Sequence, residues 1–121
     1  MNPVQILYHG TVYDYIDVIE QQGLKPVNYD KVYLTADIDV AYQYAKIRMN
    51  DLQTSSMIPV ICVVDAPQMV TDGFTFDHAL ESAEYTVDNV PSKYLLQVVI
   101  ETEDDLNLLS QYVKEVKEGM R

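Results

Sequence analysis

The sequence contains no tryptophan, one cysteine and eight basic residues among its 121 positions. Because Cys62 has no partner within the chain, an internal disulfide cannot form, which favours a reducing compartment. No apolar run reaches the length of a membrane span. The N-terminus also lacks the basic segment followed by an apolar run that marks a secretory signal. We therefore expect a cytoplasmic protein without membrane contact.

Positive charge is scarce, since 8 Lys and Arg residues face 19 Asp and Glu residues, which gives a formal net charge of −11. Such a surface repels phosphate backbones, so nucleic acid is predicted to be an unfavourable partner. The acidity serves either solubility alone or the docking of a basic protein.

Several catalytic motifs are missing. The four glycines are scattered, so no phosphate-binding loop of the P-loop or Rossmann kind is present. His9, His78 and Cys62 share no metal-ligand spacing. Cys62 lies in an apolar run, where a buried core thiol is expected, and no Gly-x-Ser-x-Gly motif occurs.

Hydrophobic periodicity predicts strands and helices in an order that fits an α+β domain. Strands are expected at residues 4–8, 32–35, 58–65, 84–87 and 94–101, and a loop at 66–80. A helix at 14–22 is predicted to start at an Asp14 cap and to end at Gly23.

Two further helices are defined by their caps and apolar positions. Asp37 is predicted to cap the first, and Thr102 the second. The first should bury a stripe formed by Val40, Ala41, Tyr44 and Ile47, and the second a stripe formed by Leu106, Leu109, Val113 and Val116. We predict one domain over residues 1–121, with a split, mostly antiparallel sheet flanked by short helices and a C-terminal helix.

Four short motifs occur in an order that resembles the His-Tyr-Glu class of ADP-ribosyltransferases. They are LYHGT at 7–11, KVYLT at 31–35, AYQYA at 41–45 and EY at 84–85. Two linking segments, GLKP at 23–26 and DNVPSKYL at 88–95, are also similar to the related RNA 2′-phosphotransferases. The resemblance covers about residues 4–101 and implies an ADP-ribosyltransferase-like fold that takes NAD as its substrate, without a metal.

The resemblance assigns a role to each motif residue. His9, Gly10 and Thr11 would bind the ribose and the amide of the nicotinamide half of NAD. Tyr33 and Tyr44 would hold the nicotinamide ring between their own rings, with Tyr42 as the alternative to Tyr44.

Two more residues complete the implied site. Thr35 matches a hydroxyl position of the family. Glu84 would bind the ribose 2′-hydroxyl and stabilise the positive charge that develops as the glycosidic bond breaks, and Glu81 is its rival. Glu84, His9 and Tyr33 are thus the predicted catalytic residues.

We expect an enzyme that transfers ADP-ribose from NAD to a protein acceptor. The alternatives are an RNA 2′-phosphotransferase-like enzyme, an NAD glycohydrolase, and an inactive module that binds NAD, ADP-ribose or a protein. The phosphotransferase alternative ranks second because that family clamps phosphate with several arginines, whereas this chain has only Arg48 and Arg121. Lys25 and Lys31 could supply point charges near the NAD phosphates. Four cationic side chains could also gather near the cleft and guide a phosphate there: Lys25, Lys31, Lys46 and Arg48.

Overall fold

The structure, a computed structural model, describes residues 5–26, 31–52, 58–78 and 84–119. Several sequence-based predictions therefore concern positions outside the described residues. They are the start of the strand predicted at 4–8, the end of the loop predicted at 66–80, the candidate Glu81, the side chain of Val116, and Arg121.

Within these ranges the chain forms six strands and four helices. The strands are β1 (Leu7–Val12), β2 (Val32–Thr35), β3 (Pro59–Val64), β4 (Asp77–His78), β5 (Glu84–Val87) and β6 (Leu95–Val99). The helices are α1 (Ile16–Gln22), α2 (Ile38–Leu52), α3 (Ala66–Thr71) and α4 (Glu103–Gly119). Short 3₁₀ turns at Tyr13–Tyr15 and Ser92–Tyr94 precede α1 and β6.

All strand pairs are antiparallel, and the strands follow the order β4-β5-β2-β1-β3-β6. The junction between β1 and β2 is narrow, since it has the single pair Tyr8 and Thr35, whereas β1 and β3 share six pairs. The sheet therefore divides into two halves that part beyond this contact. The predicted α+β class with a split antiparallel sheet and a C-terminal helix is confirmed.

Each face of the sheet carries its own apolar core. Strand alternation sends Leu7 and Cys62 to one face, where α1 and α3 contribute Ile19 and Met69. The other face receives Tyr8 and Ile61, and it is covered by α2 and α4 through a second set of buried residues. That set includes Ala41, Leu106, Leu109 and Val113. The sheet is thus a middle layer with helices on both sides.

The caps of α2 and α4 are formed as predicted. The Asp37 carboxylate accepts hydrogen bonds from the backbone N–H groups of Asp39, at 2.9 Å, and Val40, at 3.4 Å. The Thr102 hydroxyl accepts from the N–H of Asp105 at 3.3 Å, and the Asp105 carboxylate accepts from the N–H of Thr102 at 3.1 Å. This reciprocal pair fixes the start of α4.

Three local predictions were wrong. The strand predicted at 4–8 begins at Leu7 and continues to Val12. The helix predicted from Asp14 begins at Ile16, because a 3₁₀ turn comes first and no side chain caps its N-terminus. The loop predicted at 66–80 contains α3, which starts where the Asp65 carboxylate accepts from the N–H of Gln68 at 3.2 Å. Pro67 in the first turn supports this start, since proline is tolerated where no intrahelical donor is needed.

The predicted buried stripe of α2 was also wrong in part. Ala41 and Ala45 are fully buried, whereas Val40, Tyr44 and Ile47 are 38%, 49% and 51% exposed. The reason is the close approach of α2 to β1. A Cβ placed on Gly10 would lie 1.9 Å from the carbonyl oxygen of Ala41, so only small side chains fit between helix and strand.

The lone thiol is part of the core, as predicted. Cys62 lies in β3, opposite His9 of β1 and Gln97 of β6, and it has no exposed surface. Burial raises the pKa of this thiol to about 12. Among the described residues, no helix is both long and apolar enough to cross a membrane.

We predict that Gly10→Ala lowers the free energy of unfolding by about 3 kcal/mol or more, because the added methyl group forces α2 away from β1. Urea denaturation measures this change. Gln43→Ala, an exposed position on the same helix, is the matched control and should shift stability by less than about 0.5 kcal/mol. A Gly10→Ala protein as stable as the wild type would refute the proposed close approach.

Candidate functional site

The parting of β1 and β2 opens a cleft of about 460 Å³, a size typical of small-molecule sites. Its walls come from β1, β2 and the start of β5, from the second half of α2, and from the segment that leads from α1 to β2. Gly23 and Leu24 anchor that segment. Leu24 exchanges two backbone hydrogen bonds with Val90, at 2.8 and 2.9 Å, which holds the following Lys25 at the cleft.

Six of the residues predicted for NAD binding or catalysis line this cleft. They are His9, Gly10, Tyr33, Thr35, Tyr44 and Glu84. Thr11 is not brought there, since it is 2% exposed and lies outside the lining. Tyr42 also lies elsewhere, packed against the second core with Lys46 over its ring at 5.1 Å. Tyr44 is therefore the tyrosine of α2 that faces the cleft.

His9 is held by one hydrogen bond across the parting of the sheet. Its Nδ1 lies 2.9 Å from the carbonyl oxygen of Tyr33. Because a carbonyl oxygen only accepts, Nδ1 carries the proton and Nε2 carries the lone pair of the neutral ring. Burial lowers the pKa of His9 below the ordinary value of 6.5, the bond to Tyr33 opposes this shift, and the positive charge of Arg48 adds to it. The ring is therefore neutral at pH 7 and can accept a hydrogen bond through Nε2.

Strand register aligns three polar side chains across the cleft wall. Tyr8 of β1 pairs with Thr35 of β2, and Thr35 pairs with Glu84 of β5. Residues that pair directly in an antiparallel sheet share a face and lie about 5 Å apart. The half-buried Glu84 carboxylate thus belongs to the same face as Thr35, one strand further from β1.

The two cleft tyrosines present aromatic surface to a ligand. Tyr33 is 43% exposed and Tyr44 is 49% exposed, although both line a concave site. Aromatic rings in such a site offer stacking surface to a planar ligand group.

The Thr35 side chain is buried, and its hydroxyl oxygen accepts a hydrogen bond from the backbone N–H of Asp37 at 3.1 Å. This hydrogen bond stabilises the turn between β2 and α2.

Positive charge is concentrated at the cleft. Lys25, Lys31 and Arg48 line it, whereas Lys46 does not. Sequence reasoning named all four as charges that could gather near the cleft, but it did not assign Arg48 to the cofactor-binding residues. The missed signal is helical spacing, because Tyr44, Ile47 and Arg48 lie three and four residues apart and share one face of α2.

Within the ranges that the structure describes, no three His, Cys, Asp or Glu side chains gather closely enough to hold a metal ion. The cleft presents an imidazole, a carboxylate, aromatic rings and three cationic side chains.

Comparison with known proteins identifies the family. Residues 2–84 match the family model described as RNA 2′-phosphotransferase, Tpt1/KptA family. Three curated relatives, each called probable RNA 2′-phosphotransferase, share 32%, 36% and 38% of aligned residues with the chain. They come from Acetivibrio thermocellus, Burkholderia lata and Trichormus variabilis. Their alignments cover 77%, 79% and 77% of this chain, and 47%, 45% and 46% of the respective relative.

The fold defines the class of the protein, which is an α+β domain with a cleft in a split antiparallel sheet. Within that class, the chain belongs to the Tpt1/KptA family of RNA 2′-phosphotransferases. The chain spans about half the length of the curated relatives that it matches. The sequence-based expectation that NAD is the substrate fits this family. Membership of the wider His-Tyr-Glu class stays a prediction.

The prediction that nucleic acid is an unfavourable partner was wrong, because the family to which the chain belongs is named for its action on RNA. The error has a physical cause. A net charge of −11 sums over the whole sequence, whereas a phosphate group responds to the charges nearest to it. Three cationic side chains line the cleft of this acidic protein.

We predict that the His9 ring titrates below pH 6.5, which NMR can measure in a His78→Asn variant that leaves His9 as the only histidine. Because the folded-state pKa is depressed, the unfolded chain binds more protons just below pH 6.5. The free energy of unfolding should therefore fall as the pH drops from that value. Arg48→Gln should raise the midpoint, since the Arg48 charge helps to lower it. A His9 midpoint at or above 6.5 would contradict this environment.

Proposed function

We propose that this chain carries out the NAD-dependent removal of a 2′-phosphate from RNA. Family membership supports the reaction class, since the matched family model and the curated relatives carry that name. ADP-ribosylation of proteins, the function expected from the sequence, has no support among these relatives. RNA therefore replaces a protein as the proposed acceptor.

The observation that carries the proposal is the gathering of cations at the cleft. Of the Lys and Arg side chains that the structure describes, Lys25, Lys31 and Arg48 line this one site beside the neutral His9. A phosphate group and the NAD pyrophosphate both require such charges. The arginine content is low for the family, so the phosphate contacts consist of one guanidinium and two point charges.

The remaining cleft residues suit the nicotinamide half of NAD. Tyr33 and Tyr44 offer ring faces for the nicotinamide, and the Gly10 backbone offers hydrogen-bonding groups for its amide. Nε2 of His9 accepts a hydrogen bond from a ribose hydroxyl. These assignments follow the family resemblance, and the position of all four residues in one cleft supports them.

The proposed first step joins an oxygen of the RNA 2′-phosphate to the ribose carbon that bears nicotinamide. The bond from that carbon to the nicotinamide nitrogen breaks, and its electron pair leaves with neutral nicotinamide. Positive charge develops on the ribose during this step, and the Glu84 carboxylate at the cleft wall stabilises it. The cationic side chains hold the phosphate nucleophile.

The test is an incubation with NAD and an oligonucleotide that carries one internal 2′-phosphate, followed by mass spectrometry of the oligonucleotide and chromatography of nicotinamide. We expect loss of the phosphate and release of nicotinamide, both requiring NAD and the phosphorylated oligonucleotide together. The same oligonucleotide without the phosphate is the control. Two results would refute the proposal. One is nicotinamide release at the same rate with and without the 2′-phosphate, and the other is transfer of label from NAD to protein in a lysate.

We predict that Glu84→Gln lowers kcat about a hundredfold and leaves the NAD affinity largely intact, because the carboxylate acts mainly on the charge of the transition state. Single-turnover kinetics and titration separate the two effects. Glu101→Gln, an exposed glutamate beyond β6, is the matched control and should keep the wild-type rate. Glu81→Gln tests the rival. A Glu84→Gln enzyme with unchanged kcat would remove Glu84 from the mechanism.

A further inference from the structure

The two edge strands of the sheet differ in length and in charge. At one edge, β4 is two residues long and carries the exposed side chains of Asp77 and His78. Short edge strands with polar side chains resist pairing with other chains. At the other edge, β6 is five residues long and has the sequence LLQVV, without charge or proline. This second edge has the features of a strand that pairs with another chain.

The hydrogen bonds between β3 and β6 show which backbone groups of β6 point outward. The N–H of Ile100 donates to the carbonyl oxygen of Pro59, and the N–H of Asp65 donates to that of Tyr94, both at 2.9 Å. Because an antiparallel strand bonds each neighbour through alternate residues, the even-numbered residues of β6 bond to β3. No strand of the described residues pairs with the outward groups. These groups belong to Leu95, Gln97 and Val99.

The sequence around β6 is complementary to itself in an antiparallel arrangement. A twofold axis at Gln97 places this residue opposite its own copy and Leu95 opposite Val99, so that the outward groups exchange N–H···O bonds. Just beyond the ends of the strand, Lys93 comes beside Glu101 of the second copy. Both side chains are exposed. Two opposite-charge pairs would therefore flank the uncharged ladder.

Strand pairing alone buries too little surface for a stable dimer, which needs about 1,200 Å² or more. Further apolar surface is available on the face of the sheet that α4 covers. Leu96 of β6 belongs to this face, because it pairs with Val63 of the second core, and it is 50% exposed. On α4, Leu108 and Tyr112 lie one turn apart and are 64% and 52% exposed.

Leu108 and Tyr112 lie on the side of α4 that is turned away from α2. Ser110 and Lys114, on the opposite side of the helix, line a hollow together with Asp37 at the start of α2. Since α2 packs over β1 and β3, and β6 lies beyond β3, the side with Leu108 and Tyr112 faces the free edge of β6.

We propose that β6 and the exposed side of α4 form the interface of a twofold homodimer, in which β6 pairs with β6 of a second copy. The cleft lies on the other side of β1 from this edge, so each copy keeps its own cleft. The net charge of −11 repels the second copy at long range. Physiological salt screens this repulsion beyond about 8 Å, so the contacts at the interface decide the affinity.

Sedimentation velocity over a concentration series tests the dimer. We expect a dissociation constant of about 10 μM or lower for the wild type. Lys93→Glu and Glu101→Lys each bring like charges together at two places and should weaken the dimer about tenfold or more. The variant with both changes should recover the wild-type affinity, because opposite charges meet again. Lys114→Glu, the same change of charge on the other side of α4, is the matched control and should dimerise as the wild type does.

Leu108→Lys tests the contribution of α4 and should weaken the dimer about tenfold or more, since it places a charge in the apolar contact. Asn107→Lys, at an exposed neighbouring position, is the control and should keep the wild-type affinity. Thermal unfolding of each variant checks its fold.

Amide hydrogen exchange measured by NMR locates the interface. The outward N–H groups should exchange slowly at concentrations that favour the dimer and faster on dilution. The N–H groups of Leu96 and Val98, which bond to β3, should be protected under both conditions.

Three results would overturn the proposal. The first is a wild type that stays monomeric at about 100 μM, well above the expected dissociation constant. The second is a dimer whose affinity neither single charge change at Lys93 or Glu101 alters. The third is equal exchange of the outward amides at low and high concentration. These measurements need neither NAD nor RNA, so the interface is tested independently of the proposed function.

Discussion

The close approach of α2 to β1 at Gly10 is the constraint on which the cleft depends. A strand residue without a side chain, facing Ala41 and Ala45, lets the helix backbone lie directly against the sheet. Larger residues of α2 cannot enter this contact, so Tyr44, Ile47 and Arg48 turn to the rim of the cleft. The small residues at the contact between α2 and β1 therefore determine where the large side chains of α2 lie.

The second constraint is the narrow junction of the two half-sheets. Beyond the pair Tyr8 and Thr35, β1 and β2 no longer share a ladder, and the backbone of β2 becomes available to a side chain. His9 uses it, since its Nδ1 bonds the Tyr33 carbonyl oxygen. One gap in the sheet thus creates the space for a ligand and also fixes the tautomer of the residue that faces it.

Sequence reasoning succeeded at several positions where local chemistry decides the structure, although the predicted Asp14 cap and the loop at 66–80 were wrong. The caps at Asp37 and Thr102 and the strand at 84–87 follow from short-range patterns, and these predictions were confirmed. It failed where two distant elements meet. The exposed face of α2 could not be derived from the sequence, because it depends on how closely α2 approaches β1 at Gly10.

The same limit applies to the site. Six predicted residues line the cleft, because the order of the motifs follows the order of the strands that form it. Thr11 was predicted because it adjoins His9 and Gly10 in the HGT motif, but its side chain is buried outside the cleft. The cluster of Lys25, Lys31 and Arg48 unites three separate segments, which net charge cannot reveal. The prediction about nucleic acid failed for this reason.

Because Cys62 is buried in the middle of the sheet, the reaction of its thiol with an alkylating reagent reports the opening of the central strands. Alkylating reagents attack the thiolate, and a thiol with a pKa of about 12 in the middle of β3 is neither ionised nor reachable while the sheet is intact. Labelling of this one sulfur therefore counts the molecules in which the central strands have separated. Ligands that bind the folded cleft should slow that labelling in proportion to their occupancy.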